Sequence, residues 1–536
     1  MTARALMILG TASHVGKSII TAGLGRIFSD DGIRVAPFKA QNMSLNSAAT
    51  PDGGEIGRAQ ALQAEACRVP ACVEMNPVLI KSRSDSTSQV VLLGKIWGQV
   101  SARDYHTQRV EQLFPAVLES YRKLASQYEL ILLEGAGSPA EINLRDHDIV
   151  NLRMARAADA TCLLVGDIDR GGVFASLLGT MELLEPGERE LIKGFVINKF
   201  RGDKTLLQPG VEMIERRLGI PCVGVVPWLH DLNLDEEDSV AMQERPTPFQ
   251  AWKSNEGEPS RRQLRIGVVA FPHLSNFTDF DALAAEPSVS LAFLHDTEDI
   301  ALADVLILPG TKQTLDDFDW LVSQGFIPQI LEHYEKKKVI VGICGGFQML
   351  GLSMHDPEGM ENDEMPAERE GLKIRRARTI FQQEKTTQLV AGRLCSEMLT
   401  GRLWTETQFK GYEIHLGETR REDGVPAFAA IARVAAGAAE GVERHDGAVS
   451  DDGRAFGTYV HGIFDQDKFR HGFIAVARGQ AGLAPAEQHA WMTSEREARF
   501  ERLASHLRAS LDMEQIQGWI GLGREEKLLP AGYAEP

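Results

Sequence analysis

Cys344 is the residue whose surroundings most clearly predict covalent chemistry. It lies between the apolar run Val339–Ile343, which is typical of a buried strand, and a segment with a helical pattern that starts at Gly345. A strand, a sharp turn flanked by Gly342 and Gly346, and a helix form a nucleophile elbow, here with Cys in place of Ser. Backbone N–H groups at the start of such a helix can stabilise an oxyanion. The pattern therefore predicts a thiol nucleophile.

A thiol nucleophile needs a base, and a His distant in sequence is the expected one. His461, in the string Tyr-Val-His-Gly-Ile-Phe-Asp after a predicted strand, supplies it. His415 is the one rival, because most of the other His residues lack a position at a strand end. The glycine turn at Gly310, which ends the strand Val305–Leu308, is suited to donate a second N–H group to the oxyanion.

A glycine-rich loop near the N-terminus predicts nucleotide binding. The stretch Gly10–Ser18 follows the first predicted strand and opens a helix, so its N–H groups and the helix N-terminus can surround phosphate oxygens. In such a loop Lys17 contacts the β- and γ-phosphates, and the Ser18 hydroxyl binds Mg²⁺. The spacing departs from the common pattern, since five residues separate Gly10 from Gly16 and Thr11 stands where Gly is usual.

Polar residues follow the other predicted strands of this half. The carboxyl ends of parallel strands share one edge of a sheet, and ligands bind there. Glu134 can hold Mg²⁺ at this edge, or it is a solvated strand-end residue. Lys39 opens a polar loop that contacts substrate or phosphate, or is a simple loop. Asn198 can pair with a nucleobase edge or form an ordinary turn, and Asp167 and Asp169 could bind metal or substrate or cap their strand.

Sheets are needed to bring these residues together, and the sequence predicts two. Residues 1–235 alternate short buried runs with helical segments; the expected strands are Ala5–Leu9, Val35–Phe38, Leu130–Leu133, Cys162–Val165, Phe195–Ile197 and Cys222–Val226. A polar, Pro-containing stretch at 236–263 is typical of a linker. A second α/β pattern occupies 264–480, with the acidic segment Asp356–Glu370 expected to be a solvated loop, and 481–536 are expected to form a helical appendage. We therefore predict an α/β fold class with two doubly wound domains.

Two resemblances add chemistry to this pattern. The loop with its five-residue spacing and Thr11 resembles the dethiobiotin synthetase-like family of P-loop ligases, which implies that ATP phosphorylates a carboxylate before a nitrogen nucleophile attacks it. The string Gly-x-Cys-x-Gly-x-Gln, followed by a strand-borne His, resembles class I glutamine amidotransferases. That resemblance implies that Cys344 attacks the glutamine amide and releases ammonia, and that Gly310, Gly345 and Gln348 serve the glutamine and its oxyanion.

One departure from the amidotransferase pattern concerns the partner of His461. The usual members carry Glu two residues after this His, and here that position is Ile463. The residue that orients His461 is therefore either another one or absent, and this feature is shared with the branch associated with cobalamin biosynthesis. We expect that His461 works without a strictly required carboxylate partner, and that substitution of Asp465, the nearest downstream carboxylate, is mild.

The domain order and four strings resemble the cobyric acid synthase family over nearly the whole chain; the strings are Lys39–Asn46, Glu134–Leu144, Asp167–Ala175 and Ser275–Asp281. The resemblance implies amidation of the b, d, e and g side-chain carboxylates of adenosylcobyrinic acid a,c-diamide, with glutamine as nitrogen donor. The partner is then a small corrinoid molecule. The cobalt belongs to that substrate, so ATP and Mg²⁺ are expected, and no protein-bound cofactor.

Two alternatives remain open on the sequence. One is the same chemistry on another acceptor, as in the a,c-diamide synthase or in CTP synthase, although CTP synthase normally keeps the Glu that is replaced by Ile463. The other is a partitioning-type ATPase switch with a degenerate glutaminase domain. Those switches place a second Lys five residues before the P-loop Lys, where this chain has Ala12.

Composition excludes several classes of function. The 536 residues carry 75 acidic and 57 basic side chains, a formal charge of −18, which argues against a non-specific nucleic-acid binder. No apolar run reaches the ~18 residues of a membrane span, and residues 1–10 lack a signal-peptide pattern. Six cysteines are too sparse for a disulfide framework. We expect a cytoplasmic enzyme; the sequence does not predict its oligomeric state.

Overall fold

The computed structural model describes residues 3–83, 87–101, 110–230, 232, 234, 252, 262–361, 365–395, 407–435, 438–486 and 492–522. Most of the stretch expected as a linker, 236–263, lies outside the described residues. Its Trp252 is buried, and the indole Nε1–H donates to the Ser290 hydroxyl at 2.8 Å. Within the described residues, no helix combines the length and the apolar character that crossing a bilayer requires.

The strands of the first domain are β1 (Arg4–Gly10), β2 (Val35–Phe38), β3 (Gln41–Met43), β4 (Ser47–Ala49), β5 (Glu55–Gly57), β6 (Val78–Ser82), β7 (Thr87–Leu92), β8 (Lys95–Ser101), β9 (Leu130–Glu134), β10 (Thr161–Asp167), β11 (Ile192–Phe200) and β12 (Cys222–Pro227). Six of them form a parallel sheet in the order β12-β11-β10-β1-β9-β2. Each of these six contains one of the predicted apolar runs. Its central strands are buried on both faces, which explains why they lack polar alternation.

The helices of this domain are α1 (Lys17–Asp30), α2 (Arg58–Ala66), α3 (Val110–Ala125), α4 (Leu152–Ala157), α5 (Val173–Leu183), α6 (Pro186–Arg189) and α7 (Lys204–Leu218). Between β2 and α3 the chain forms a second, four-stranded sheet, β3-β6-β7-β8, and a short β4–β5 hairpin. These strands were not predicted from the sequence; β4 and β5 are three residues each, β8 has no continuous apolar run, and the apolar runs of β6 and β7 are only three residues long.

The second domain contains β13 (Leu264–Val269), β14 (Val289–Leu294), β15 (Val305–Leu308), β16 (Val339–Ile343), β17 (Ser353–Asp356), β18 (Ala367–Glu370), β19 (Ala377–Leu394), β20 (Gln408–Arg421), β21 (Ala429–Ala435), β22 (Ala438–Asp446), β23 (Ala448–Val449) and β24 (Ala455–Thr458). One sheet has the order β14-β13-β15-β16-β24-β23, parallel except at β23. The other has the order β18-β17-β19-β21-β22, with β20 paired to β19. The predicted α/β class with two doubly wound domains is confirmed.

The helices of the second domain are α8 (Asp281–Ala284), α9 (Thr314–Ser323), α10 (Phe326–Glu335), α11 (Gly345–Met349) and α12 (Asp467–Gln480). The expectation of a solvated acidic loop at Asp356–Glu370 is wrong at both ends, which lie in β17 and β18, and at two buried carboxylates. Asp356 and Glu361 are buried, because the Asp356 carboxylate accepts the backbone N–H groups of Met360 and Glu361 and thereby folds the turn inward. Buried carboxylates are tolerated where backbone donors satisfy them.

The C-terminal segment forms α13 (Met492–Ser510) and α14 (Met513–Trp519), and both pack on the first domain. Phe500, Leu503 and Leu507 are buried against α1. A Cβ at Gly23 of α1 would lie 2.3 Å from Leu507, so the two helices approach closely only because this residue is Gly. The chain therefore returns to its first domain after completing the second.

The two domains meet through the β4–β5 hairpin and the start of α2. The Ser47 N–H donates to the side-chain oxygen of Asn276 at 2.9 Å, and Lys385 forms an ion pair with Glu55 at 2.6 Å. The hairpin thus contacts the second domain next to Phe277–Phe280, a 3₁₀ turn that leads into α8. This contact brings residues of the first domain to the surroundings of Cys344.

Candidate active site

Cys344 occupies the turn between β16 and α11 with φ 51° and ψ −110°. This left-handed conformation is unfavourable for a residue with a side chain and is typical of strained functional positions. The flanking glycines permit it: a Cβ at Gly346 would lie 1.9 Å from the Leu308 carbonyl oxygen, and one at Gly342 would lie 2.7 Å from the Gly346 oxygen. The predicted nucleophile elbow is present in the structure.

His461 lies beside Cys344 and is oriented by a carboxylate that the sequence did not nominate. Its Nδ1–H donates to Asp279 Oδ2 at 2.6 Å, and the Gly462 N–H donates to Asp279 Oδ1 at 3.0 Å. The side chains of His461 and Asp279 are 1% and 3% exposed. Of the two possibilities that the sequence left open, an orienting residue other than position 463 is therefore present, and whether His461 strictly requires this carboxylate stays a prediction. Asp279 replaces the Glu missing at Ile463, from a turn 182 residues earlier in the chain.

The ionisation of His461 reflects these neighbours. Burial of the ring disfavours its charged form, but the Asp279 carboxylate and the Cys344 sulfur outweigh burial and raise the pKa of His461 to about 10. The Tyr412 ring stacks on the imidazole with centroids 5.2 Å apart, and the two residues exchange backbone hydrogen bonds. The arrangement of Cys344, His461 and Asp279 can remove the thiol proton and hold it on an imidazolium.

Backbone donors for an oxyanion are present at the two predicted positions. The N–H groups of Cys344 and Gly346 are already used, because they donate to the Thr458 and Pro309 carbonyls. For Gly310 and Gly345, no acceptor exists among the residues that the structure describes. A Cβ at Gly310 would lie 2.9 Å from Cε1 of His461, so this turn borders the imidazole.

Gln348 and His415, the other two residues considered for this site, line the cavity that contains Cys344. The Gln348 amide accepts from the Thr314 hydroxyl at 3.0 Å and donates to the Tyr459 hydroxyl at 3.1 Å, so its orientation is fixed. The His415 ring stacks on Tyr459, with centroids 3.8 Å apart, and its Nδ1–H donates to a backbone carbonyl. His461 therefore has the geometry expected of the base.

The glycine-rich loop joins β1 to α1 as predicted. Lys17 crosses it, and its ammonium donates to the carbonyls of Ala12 at 2.9 Å and Gly137 at 3.0 Å. The Thr11 N–H donates to the Val165 carbonyl of β10, which ties the loop to the sheet. Gly16 has φ 99°, a conformation that favours glycine.

Glu134, at the end of β9, is the centre of the polar cluster under this loop and is 1% exposed. Its Oε1 accepts from the Ser18 hydroxyl at 2.8 Å and from the Lys39 ammonium at 3.0 Å, and its Oε2 accepts from the Gln63 amide. The Ser18 hydroxyl and the Glu134 carboxylate are hard oxygen donors of the kind Mg²⁺ prefers, so this pair fits the ion. Gln63, on α2, was not predicted.

Three further predicted residues lie near the loop or beyond β10: Asn198 in β11, Asp167 at the end of β10, and Asp169 two residues after it. The Asn198 amide donates to the Val15 carbonyl at 2.8 Å, so this side chain braces the loop, and contact with a nucleobase stays a prediction. Asp167 forms an ion pair with Lys199 at 2.9 Å, and Asp169 forms one with Arg201 at 3.0 Å. Both carboxylates thus have partners within the protein.

Comparison with known proteins agrees with this division into two sites. Residues 6–240 match the CobQ/CobB/MinD/ParA nucleotide binding domain, and residues 265–469 match the CobB/CobQ-like glutamine amidotransferase domain. A nucleotide-binding domain joined to an amidotransferase domain makes the chain an amidating ligase.

Three relatives that span both domains carry the same name. A cobyric acid synthase of Klebsiella pneumoniae is 46% identical over 516 residues, 96% of this chain and 97% of the relative. One of Sorangium cellulosum is 46% identical over 98% of this chain and 100% of the relative, and one of Salmonella heidelberg is 45% identical over 96% of this chain and 97% of the relative. From its two domains and from these full-length relatives, we conclude that the chain belongs to the cobyric acid synthase family.

Proposed function

We propose that this chain converts adenosylcobyrinic acid a,c-diamide to adenosylcobyric acid by amidating its b, d, e and g carboxylates, with ATP and glutamine consumed at each amidation. The observation that carries the proposal is the similarity to proteins named cobyric acid synthase, 46% identical over 96% of the chain. It spans both candidate sites, so the nitrogen-releasing and carboxylate-activating halves belong to one reaction.

Ammonia is produced at Cys344. The Cys344 sulfur adds to the glutamine carboxamide carbon after His461 takes the thiol proton, and the N–H groups of Gly310 and Gly345 stabilise the oxyanion. His461 then gives its proton to the nitrogen, the C–N bond breaks, and ammonia leaves a glutamyl thioester. Water, deprotonated by His461, adds to the thioester, and cleavage of the C–S bond gives glutamate and the free thiol. Asp279 holds the imidazole in the orientation that both steps need.

The carboxylate is activated at the glycine-rich loop. An oxygen of the corrinoid carboxylate attacks the γ-phosphorus of ATP, ADP leaves, and ammonia displaces phosphate from the acyl phosphate to form the amide. Lys17 neutralises charge that develops on the transferred phosphoryl group. Ser18 and Glu134 would hold Mg²⁺, which when bound neutralises charge between the β- and γ-phosphates. The Lys39 ammonium forms an ion pair with Glu134 and can contact the substrate carboxylate or the phosphoryl group.

The glutaminase geometry weighs against a degenerate amidotransferase domain. A degenerate site has no need to retain a strained cysteine, a buried imidazole and a buried carboxylate in contact, since each of them destabilises a fold that does not use it. This observation favours the ligase over the partitioning-type switch.

Mass spectrometry of the corrinoid tests the proposal. The purified chain is incubated with adenosylcobyrinic acid a,c-diamide, ATP, Mg²⁺ and glutamine. Each amidation replaces OH by NH₂, so the proposal predicts a product shifted by four such replacements and dependent on both ATP and glutamine. A corrinoid that keeps its mass while ATP and glutamine are consumed would contradict the proposed acceptor.

A further inference from the structure

The cavity that contains Cys344 is lined by residues of both domains. From the second domain come Lys312, Glu361 and Lys385, and from the first domain comes Lys81, at the end of β6. The mechanism above uses none of these four charged side chains. Their presence beside the thiol raises the question of what they bind.

Lys81 and Lys385 share one carboxylate. Glu55, in β5, forms ion pairs with both ammonium groups, and Lys81 also donates to the Ser47 hydroxyl at 2.9 Å. The side chains of Lys81 and Lys385 are 4% and 13% exposed. Two positive charges on one negative charge leave this buried cluster with an excess charge of +1. Although burial alone would raise it, the pKa of Glu55 is lowered by the two ammonium groups, while burial and the nearby Lys385 lower the pKa of Lys81 to about 8.

The other two charged side chains of the cavity attract each other. Burial raises the pKa of the Glu361 carboxyl and the Lys312 ammonium opposes that rise, while the Glu361 carboxylate accepts the Thr314 N–H at 2.6 Å. Lys81 and Lys385, by contrast, share a single carboxylate, that of Glu55. Since a buried excess charge is unfavourable unless it is paired, this part of the cavity is suited to an anionic group.

We propose that Lys81 and Lys385 bind the α-carboxylate of the substrate glutamine, so that the first domain completes the glutamine site of the second. The inference rests on the proposed function, because it takes glutamine as the molecule that reacts at Cys344. Glutamine carries its carboxamide and its α-carboxylate at opposite ends, and the same cavity presents a thiol for the former and paired ammonium groups for the latter. Glu55 orients the two ammonium groups and Ser47 fixes Lys81.

The proposal has a direct consequence for specificity. A molecule that keeps the carboxamide but lacks the α-carboxylate should lose the contact with the lysines and react more slowly. A charge-assisted contact of this kind is worth roughly 10- to 100-fold in kcat/KM. Discrimination between the two molecules should decrease when Lys81 loses its charge.

The test compares L-glutamine with L-glutaminamide, in which an amide replaces the α-carboxylate, as substrates of the full-length enzyme with ammonia release as the readout. We expect Lys81→Met to lower kcat/KM for glutamine by roughly 10- to 100-fold and to leave the value for glutaminamide unchanged. Lys336→Met is the matched control: Lys336 is an exposed lysine that directly follows α10, and its replacement should leave both values unchanged. Equal losses for both substrates in Lys81→Met would overturn the proposal, because they indicate a structural role.

A second measurement does not depend on the corrinoid or on turnover. The rate of Cys344 alkylation is followed by peptide mass with 6-diazo-5-oxo-L-norleucine, which carries an α-carboxylate, and with iodoacetamide, which does not. We expect Lys81→Met to slow only the first reagent, again by roughly 10- to 100-fold. If Lys312→Met abolishes the preference and Lys81→Met does not, the assignment is wrong. A preference that depends on Lys81 in a chain that fails to amidate the corrinoid would sustain the inference and contradict the proposed acceptor.

Discussion

Replacing Asp279 by Asn tests whether the buried carboxylate is needed for glutamine hydrolysis. The change keeps the shape of the side chain, and its remaining oxygen can still accept the Gly462 N–H. It removes the negative charge that lies 2.6 Å from Nδ1 of His461. The imidazole then loses its support at the step in which it takes the thiol proton.

The expected magnitude follows from the burial of the pair. Both side chains are almost completely buried, so solvent cannot replace the lost interaction. Removing one partner of a buried, hydrogen-bonded charge pair costs about 3–5 kcal/mol, and each ~1.4 kcal/mol corresponds to a tenfold change in rate. We therefore expect Asp279→Asn to lower the rate of glutamine hydrolysis by roughly 10²- to 10⁴-fold.

The assay is release of glutamate from glutamine, with ammonia-dependent amidation measured in parallel on the same protein. Asp465→Asn is the matched control, since Asp465 is the nearest carboxylate after His461 in sequence, whereas Nδ1 of His461 is bound by Asp279, and its effect should be small. A rate for Asp279→Asn within about threefold of the wild type would refute the role assigned to Asp279. So would a loss in Asp465→Asn as large as that in His461→Ala.

Three further predictions concern the ATP site, the imidazole and the C-terminal helices. Glu134→Gln should abolish ATP turnover and lower Tm, since it leaves Lys39 buried without its carboxylate; the double variant with Lys39→Met should regain Tm but not ATP turnover. Folding raises the pKa of His461 from 6.5 to about 10, so protonated His461 should stabilise the fold fully below pH 6.5, and this stabilisation should be lost as the pH rises towards 10. The fall in Tm over this pH range should therefore be smaller in Asp279→Asn. Phe500→Ala should destabilise the first domain by about 3–5 kcal/mol, measured by calorimetry.

Each of these three predictions has a result that would contradict it. ATP turnover near the wild-type level in Glu134→Gln at limiting Mg²⁺ would reduce Glu134 to a structural residue. An equal pH dependence of Tm in wild type and Asp279→Asn would mean that the carboxylate does not hold the proton on His461. A Phe500→Ala protein with unchanged Tm would show that α13 adds little to the first domain.

The central sheets could be predicted because their strands are buried on both faces. Strands such as β9 and β16 are unbroken apolar runs followed by Glu or Cys, and this local pattern needs no knowledge of distant residues. The nucleophile elbow and the glycine-rich loop were predictable for the same reason. Their function depends on residue types at fixed short spacing.

Features that depend on contacts between distant segments could not be predicted in this way. Asp279 lies in a short 3₁₀ turn far from His461 in sequence, and no local pattern distinguishes it from other acidic residues. The string Ser275–Asp281, which contains Asp279, is distinctive only through the family resemblance. The hairpin that carries Glu55 has only three residues in each strand, and Asn276 and Lys385 of the other domain contact it.

The packing of the C-terminal segment and of the acidic turn could not be predicted for the same reason, because both depend on distant residues. The amphipathic pattern of α13 predicts a helix but not the partner that covers its apolar face, which is α1, more than 470 residues earlier. Glu361 was expected to be exposed because charged residues usually are. It is buried because the Thr314 N–H donates to its carboxylate and the positive charge of Lys312 lies nearby.

Amide formation by Cys344→Ser and Lys17→Ala, each supplied with either glutamine or ammonia, tests the division of labour most directly. Cys344→Ser loses the thiol that releases ammonia but keeps the ATP site, so ammonia at high concentration and raised pH should restore amidation of the corrinoid. Lys17→Ala cannot stabilise the transferred phosphoryl group, so it should fail with both nitrogen sources while its Cys344 still reacts with 6-diazo-5-oxo-L-norleucine. Failure of ammonia to rescue Cys344→Ser, in a protein that still binds ATP, would contradict the assignment of the two reactions to separate sites.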